Sequence, residues 1–169
     1  LKFKIAVDGD TSTNSNETFR YFAPIITNIS GDAASTTGST TEGGVLINIT
    51  GSNFGPKDGE DDGGLKVTYG ANGIGYSATN CVVKGQDNIE CRTQPGVGKD
   101  LQWKVEIGNQ SSAALESPRT RYADPTVTSI TSGPFNTIGN ESIVISGTNF
   151  GLISDVLAVP TAYFGKGGG

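Results

Sequence analysis

Cys81, Cys91, five Asn-x-Ser/Thr sequons and one acidic run are the side chains here whose types and spacing could do chemistry. The cysteines flank a turn signal at Gly85-Gln86-Asp87. Three chemistries suit them: a disulfide, a share in a thiolate metal site, or two unrelated buried thiols. Zinc takes four ligands, and a chain without His has few to add to two sulfurs. The same lack removes the commonest general base, and with it Ser-His-Asp and Cys-His nucleophile pairs, so no enzyme activity is expected. The sequons stand at Asn16, Asn28, Asn48, Asn109 and Asn140. They predict covalent N-linked glycans if the chain passes through a eukaryotic secretory route. Asp58-Gly-Glu60-Asp-Asp62-Gly63 resembles the first half of a calcium loop, with oxygens at alternate positions and then Gly. Tyr69 stands where such a loop closes with a bidentate Glu, so a solvated loop is expected, with calcium on Asp58, Glu60 and Asp62 as the minor alternative. No phosphate loop, dinucleotide glycine motif or nucleophile elbow is present, and Lys166 in Gly165-Lys-Gly-Gly lacks an upstream cradle. No cofactor is expected.

The elements that must position these groups are strands. Fifteen Ser, nineteen Thr and 25 Gly, with no Met, favour strands and turns over helices. No apolar stretch is long enough to span a membrane. A net charge of −5 with scattered Lys and Arg argues against nucleic acid as a partner. Alternation is clearest at Leu101, Trp103, Val105 and Ile107, which interleave with Gln102, Lys104 and Glu106 as in a strand buried on one face. This places Trp103 in a core, where packing is the expected role in preference to stacking on a sugar. Ile47 and Ile49 share one face of another strand with Asn48 on the opposite face, and further strands are expected at 25–30, 65–69, 76–83, 88–93 and 119–122. Asn109 falls in a turn, and Asn16 and Asn140 fall outside strands. Asn28 shares the parity of Ile26, so its face is not purely polar. Asn16, Asn48 and Asn109 are therefore the foremost glycan sites.

The sequence also repeats itself at a register of about one hundred residues. Leu1–Pro24 (LKFKIAVDG…FRYFAP) aligns with Leu101–Pro125 (LQWKVEIGN…TRYADP). Pro24–Ser30 aligns with Pro125–Thr131, and Ile47–Gly55 (INITGSNFG) aligns with Ile143–Gly151 (IVISGTNFG). Tyr69-Gly70 answers Phe164-Gly165. The expected organisation is the C-terminal strands of one repeat at 1–22, a complete repeat at 24–122 and the N-terminal strands of a third at 125–169. About seven short strands in the complete repeat, separated by turn signals such as Gly51, Gly70 and Pro95-Gly96, describe an all-β, immunoglobulin-like sandwich.

These residues resemble the IPT/TIG domains, immunoglobulin-like modules found in plexins, some transcription factors and many surface proteins. The resemblance is carried by Pro24-x-Ile-x-x-Ile, Gly43-Gly44-Val-x-Ile-x-Ile-x-Gly51-x-Asn-Phe54-Gly55, Tyr69-Gly70, Ile89-x-Cys91-x-Thr93-x-Pro95-Gly96-Val-Gly98 and Tyr122. The family pattern carries a cysteine pair. The resemblance therefore implies a Cys81–Cys91 disulfide, an oxidising compartment, and an extracellular or cell-surface location. Repetition without a catalytic site points to a structural protein: a glycosylated array of repeats forming or decorating a surface filament head to tail, with copies of itself or neighbouring repeats as partners. The alternatives are a spacer or ligand-binding ectodomain of a plexin-like receptor, or an accessory domain of a carbohydrate-active enzyme. Either the chain is a slice of a longer tandem polypeptide, or its flanking strands complete one another between molecules. A closed exchange between molecules would lack the counterpart of Ala71 to Asp100.

Overall fold

The computed structural model describes residues 1–35, 37–57, 64–131, 133–152 and 160–165. A short hairpin, β1 (Ala6–Val7) and β2 (Asp10–Thr11), precedes the main body. The body contains β3 (Ile25–Ser30), β4 (Leu46–Ser52), β5 (Lys66–Ala71), β6 (Ile74–Ser77), β7 (Thr79–Gly85), β8 (Asn88–Arg92), β9 (Gln102–Ile107) and β10 (Gln110–Ser111). A second hairpin, β11 (Thr126–Ile130) and β12 (Ile145–Thr148), follows. The body forms two antiparallel sheets ordered β3-β4-β8-β7 and β10-β9-β5-β6. This is the sandwich expected from the spacing of the strands, and the order matches the two-sheet layout of immunoglobulin-like domains.

Period-2 alternation explains the core. Ile47 and Ile49 on β4, Ile89 and Cys91 on β8, and Trp103 and Val105 on β9 are all fully buried. Each large apolar side chain removed from water there contributes about 1.5–3 kcal/mol. Two local devices refine the pattern. A register shift between Ile26 and Asn28 on β3 adds a residue, so Ile26 and Ile29 both point inward while Asn28 is exposed. The parity that linked Asn28 to Ile26 is broken there. The two-residue turn Asn72-Gly73, with φ of 55 and 73, joins β5 to β6. Positive φ at both positions gives a hairpin turn whose twist matches that of the strands.

That turn also corrects the expected strand at 76–83. β6 pairs with β5 in one sheet, the chain passes Ala78, whose N–H donates to the Val67 carbonyl at 2.9 Å, and β7 then pairs with β8 in the other. The segment expected as one strand thus serves two sheets. Residues 119–122 likewise form no strand of their own. They are held by isolated bridges, Leu101 with Thr120 and Ser39 with Tyr122. The Ser39 bridge is parallel, and Gly38 lies so close to the Tyr122 backbone that a Cβ there would overlap it.

The contacts of the body recur in its flanks. Asn53 Nδ2 donates to the Ala23 carbonyl at 3.0 Å, and Asn149 Nδ2 donates to that of Asp124 at 3.2 Å. A Cβ on Gly51 would strike the Ile25 carbonyl and the Phe54 ring, and one on Gly147 would strike the Thr126 carbonyl and the Phe150 ring. The Val105 N–H donates to Ser112 Oγ at 3.0 Å, and the Ile5 N–H donates to Ser12 Oγ at 3.0 Å. Burial differs sharply between the two settings. Leu101, Trp103 and Val105 are at most 7 % exposed, whereas Leu1, Phe3, Ile5 and Val7 are 64–69 % exposed.

Candidate functional site

Cys81 and Cys91 form a disulfide joining β7 to β8 within one sheet, with Cα atoms 4.1 Å apart. Thr79 lies opposite Arg92 and Val82 opposite Glu90, so the pairing shifts register at Asn80-Cys81 and two residues face the single Cys91. Cys91 is fully buried and packs in the core. With both sulfurs in one bond, neither is a thiolate ligand. Among the described residues no cluster of three His, Cys, Asp or Glu could hold a metal ion. Asp58, Glu60 and Asp62, the calcium alternative, lie outside the described residues.

Four of the five sequon asparagines are exposed: Asn16, Asn28, Asn109 and Asn140. Asn48 is half-buried in the middle of β4. Asn109 follows Gly108 in a second two-residue turn, with φ of 57 and 59, where its side chain projects beyond β9 and β10. The Asn28-Ile29-Ser30 and Asn48-Ile49-Thr50 sequons run antiparallel and in register, Asn28 opposite Thr50 and Ser30 opposite Asn48. Both asparagines therefore belong to the outer face of the β3-β4-β8-β7 sheet, the face away from Ile29 and Ile49. Spacing alone does not reveal this pairing, because it depends on the shift between Ile26 and Asn28.

The interior holds an aromatic ladder with no access for a ligand. Trp103 stacks on Tyr69 at 4.3 Å between ring centroids, and Tyr69 stacks on Tyr76 at 5.1 Å. Trp103 Nε1–H donates to Thr120 Oγ1 at 2.8 Å, which satisfies its one polar atom. The Tyr69 hydroxyl accepts from the Gln94 N–H at 2.7 Å and lies 2.7 Å from the Tyr122 hydroxyl, which donates to the Gln94 carbonyl at 2.5 Å. Tyr76 spans to Val97, donating to its carbonyl at 3.0 Å and accepting from its N–H at 3.1 Å. The Thr93–Gly98 segment is thus anchored by three tyrosine hydroxyls. On the outer face of the second sheet a shallow hollow of about 250 Å³ is lined by Lys66, Thr68, Ile74, Lys104 and Glu106. Across β5 and β9 in this hollow, Lys66 lies in register with Glu106 and Thr68 with Lys104.

Burial raises the Tyr69 hydroxyl pKa above its ordinary 10.0, while its hydrogen bonds with Tyr122 and Gln94 pull it the other way. The unfolded chain releases this proton from about pH 10, before the folded chain does, so stability is unaffected below that point and falls above it. The urea midpoint is expected to drop as pH rises from about 9 to about 11. Tyr69→Phe should flatten part of that slope, and an equal slope in the variant would assign it to other groups.

The Gly-x-Asn-Phe-Gly element, the tyrosine-anchored Thr93–Gly98 segment and the cysteine pair all lie within the stretch that a family model recognises. The model for the IPT/TIG domain matches residues 24–119. No curated protein matches the chain. With its sandwich, its disulfide and more than half its length matched, the chain belongs to the IPT/TIG domain family.

Proposed function

We propose that this chain is a structural protein of the cell surface or extracellular space: a glycosylated array of IPT/TIG repeats set head to tail, forming or decorating a filament. Domains of this family are typically non-catalytic and serve protein interaction or structure. The disulfide is compatible with an oxidising, extracellular setting, and no helix among the described residues is long and apolar enough to cross a membrane.

The observation that carries the reading is that contacts of the complete repeat recur in the flanking segments, each of them twice along the chain. Residues 1–22 repeat the contacts around β9 and β10, residues 24–122 hold the whole set, and residues 125–169 include the β3 and β4 contacts again. On this reading the flanks are the tail of one repeat and the head of another, and the domains are the mechanical units of the assembly. Glycans on Asn16, Asn28, Asn48, Asn109 and Asn140 would clothe it, since the exposed sites let a bulky sugar project without disturbing the core.

Material from the native source tests both parts. Electron microscopy is expected to show linear strings of domain-sized beads, and isolated beads would overturn the array. Glycopeptide mapping is expected to find glycans on Asn16, Asn48 and Asn109, and bare peptides at all three would remove the sugars from the reading while leaving the fold intact.

A further inference from the structure

C-terminal to the complete domain, coverage from solvent is confined to one turn. Residues 124–131, 133–148, 152 and 160–165 are exposed, whereas Asn149, Phe150 and Gly151 are half-buried. This turn meets Val97: a Cβ on Gly151 would stand 2.7 Å from Val97 Cγ1, closer than two unbonded carbons pack. Gly55 is the control within the same chain. It ends the matching Gly-x-Asn-Phe-Gly element with a similar φ, 89 against 81, yet a Cβ there would meet nothing within 4 Å. The tight fit at Gly151 therefore comes from the neighbour and not from the turn.

Val97 is itself fixed. The Tyr76 hydroxyl accepts from its N–H at 3.1 Å and donates to its carbonyl at 3.0 Å. On either side, the Gly96 N–H donates to the Thr41 carbonyl at 3.0 Å and the Gly98 carbonyl accepts from the Tyr122 N–H at 2.9 Å. A β-branched side chain on a held backbone is restricted at χ1, so Val97 has little room to swing aside. The connection is equally short of freedom. The Ala123 N–H donates to the Ser39 carbonyl at 2.8 Å, the Asp124 carboxylate pairs with Arg121, and the Asp124 carbonyl accepts from Asn149 Nδ2 at 3.2 Å. Asn149 belongs to the same turn as Gly151.

We propose that the 95–98 loop is a seat for the Asn149-Phe150-Gly151 turn, and that seat and linker together hold successive repeats at one fixed angle. This inference rests on the head-to-tail reading, which makes the turn part of the next repeat, and it names the surface that sets their orientation. Domains joined by a small contact move relative to one another by default. Here Ala123 is bound to the complete domain and Asp124 to both sides, so one close contact is enough to remove the remaining swing. Tyr76 is a positioning residue in this arrangement, because its hydroxyl holds both backbone groups of Val97 and so aims the side chain at Gly151.

The test uses the 169-residue chain and its amide residual dipolar couplings in a dilute aligned medium. In the wild-type chain, couplings from β3 to β9 and couplings from β11 and β12 are expected to fit one alignment tensor. Val97→Asp and Gly151→Ala should each lose that common fit, with the β11 and β12 couplings shrinking toward zero as the flank swings. Gly55→Ala carries the same cost of a side chain at positive φ but meets open space, so it should keep the common tensor. Tyr76→Phe keeps the ring and removes the hydroxyl that holds Val97, and should shrink the β11 and β12 couplings part of the way. Couplings within β3 to β9 that still fit the structure report that the complete domain is folded in each variant. A wild-type chain whose β11 and β12 amides do not share the body's tensor, a Val97→Asp chain that keeps it, or a Gly151→Ala chain that behaves like Gly55→Ala would overturn the seat. Beaded strings from the native source alongside separate tensors would overturn the seat and leave the array standing on swinging joints. Isolated beads alongside one shared tensor would instead remove the array, and with it the next repeat that the seat is proposed to orient.

Discussion

Trp103→Ala is expected to cost about 3–5 kcal/mol, the range for removing a large aromatic from a packed core. That is a large share of the roughly 5–15 kcal/mol that holds a domain folded. Three losses coincide at this position. The ring is fully buried, so its removal leaves a cavity between the sheets that β5 and β9 cannot close without moving their partners. The stack on Tyr69 disappears, and with it support for the hydroxyl chain to Tyr122 and Gln94. Thr120 loses the donor that faces its hydroxyl, which matters because Thr120 is itself buried. Urea unfolding followed by far-UV circular dichroism measures the effect, since the substitution removes the only Trp. Trp103→Phe should recover most of the loss by restoring the stack without the hydrogen bond. A cost below about 1 kcal/mol for Trp103→Ala, typical of many ordinary substitutions, would mean that the two sheets do not meet across this ring.

Breaking the Cys81–Cys91 bond is expected to cost about 2–3 kcal/mol and to lower the melting temperature by roughly 10–20 °C. The cysteines are ten residues apart, so the bond closes a short loop and restricts the unfolded chain modestly. The folded state adds a second contribution. Among the described residues β7 is the edge of its sheet, paired with β8 alone and interrupted by two register shifts, so the covalent tie fixes a strand that its hydrogen bonds hold loosely. Thermal unfolding with and without reductant, and of the Cys81→Ala, Cys91→Ala double variant, should agree. Unchanged melting on reduction would show that β7 needs no tie, and free thiols on both residues in native material would overturn the extracellular part of the function.

The legible part of this fold was written in alternation and repetition. Leu101, Trp103 and Val105 are buried because a strand has a period of two, and Gly51-x-Asn-Phe-Gly marks one turn because its glycine meets a neighbouring carbonyl that no side chain could approach. What escaped was whatever breaks a period. Residues 76–83 read as one strand because their apolar spacing runs on across Ala78, although Asn72-Gly73 is the hairpin signal that marks the separate β6. The face of Asn28 depended on a single extra residue in β3, which changes no composition and leaves no mark in spacing. The disulfide came from the resemblance, and it sits at a register shift that parity could not place.

The parallel bridge between Ser39 and Tyr122 has a mechanical meaning. The Ser39 N–H donates to the Arg121 carbonyl at 3.0 Å, and the Ala123 N–H donates to the Ser39 carbonyl at 2.8 Å. The two segments run the same way along the chain, one soon after it enters the domain and the other just before it leaves. Tension applied through Pro24 on one side and Asp124 on the other pulls parallel segments in opposite directions along their length. The hydrogen bonds are then loaded together in shear, in contrast to an antiparallel hairpin end, which opens one bond at a time. A Cβ at Gly38 would wedge the two segments apart, so glycine at this position keeps them within hydrogen-bonding reach.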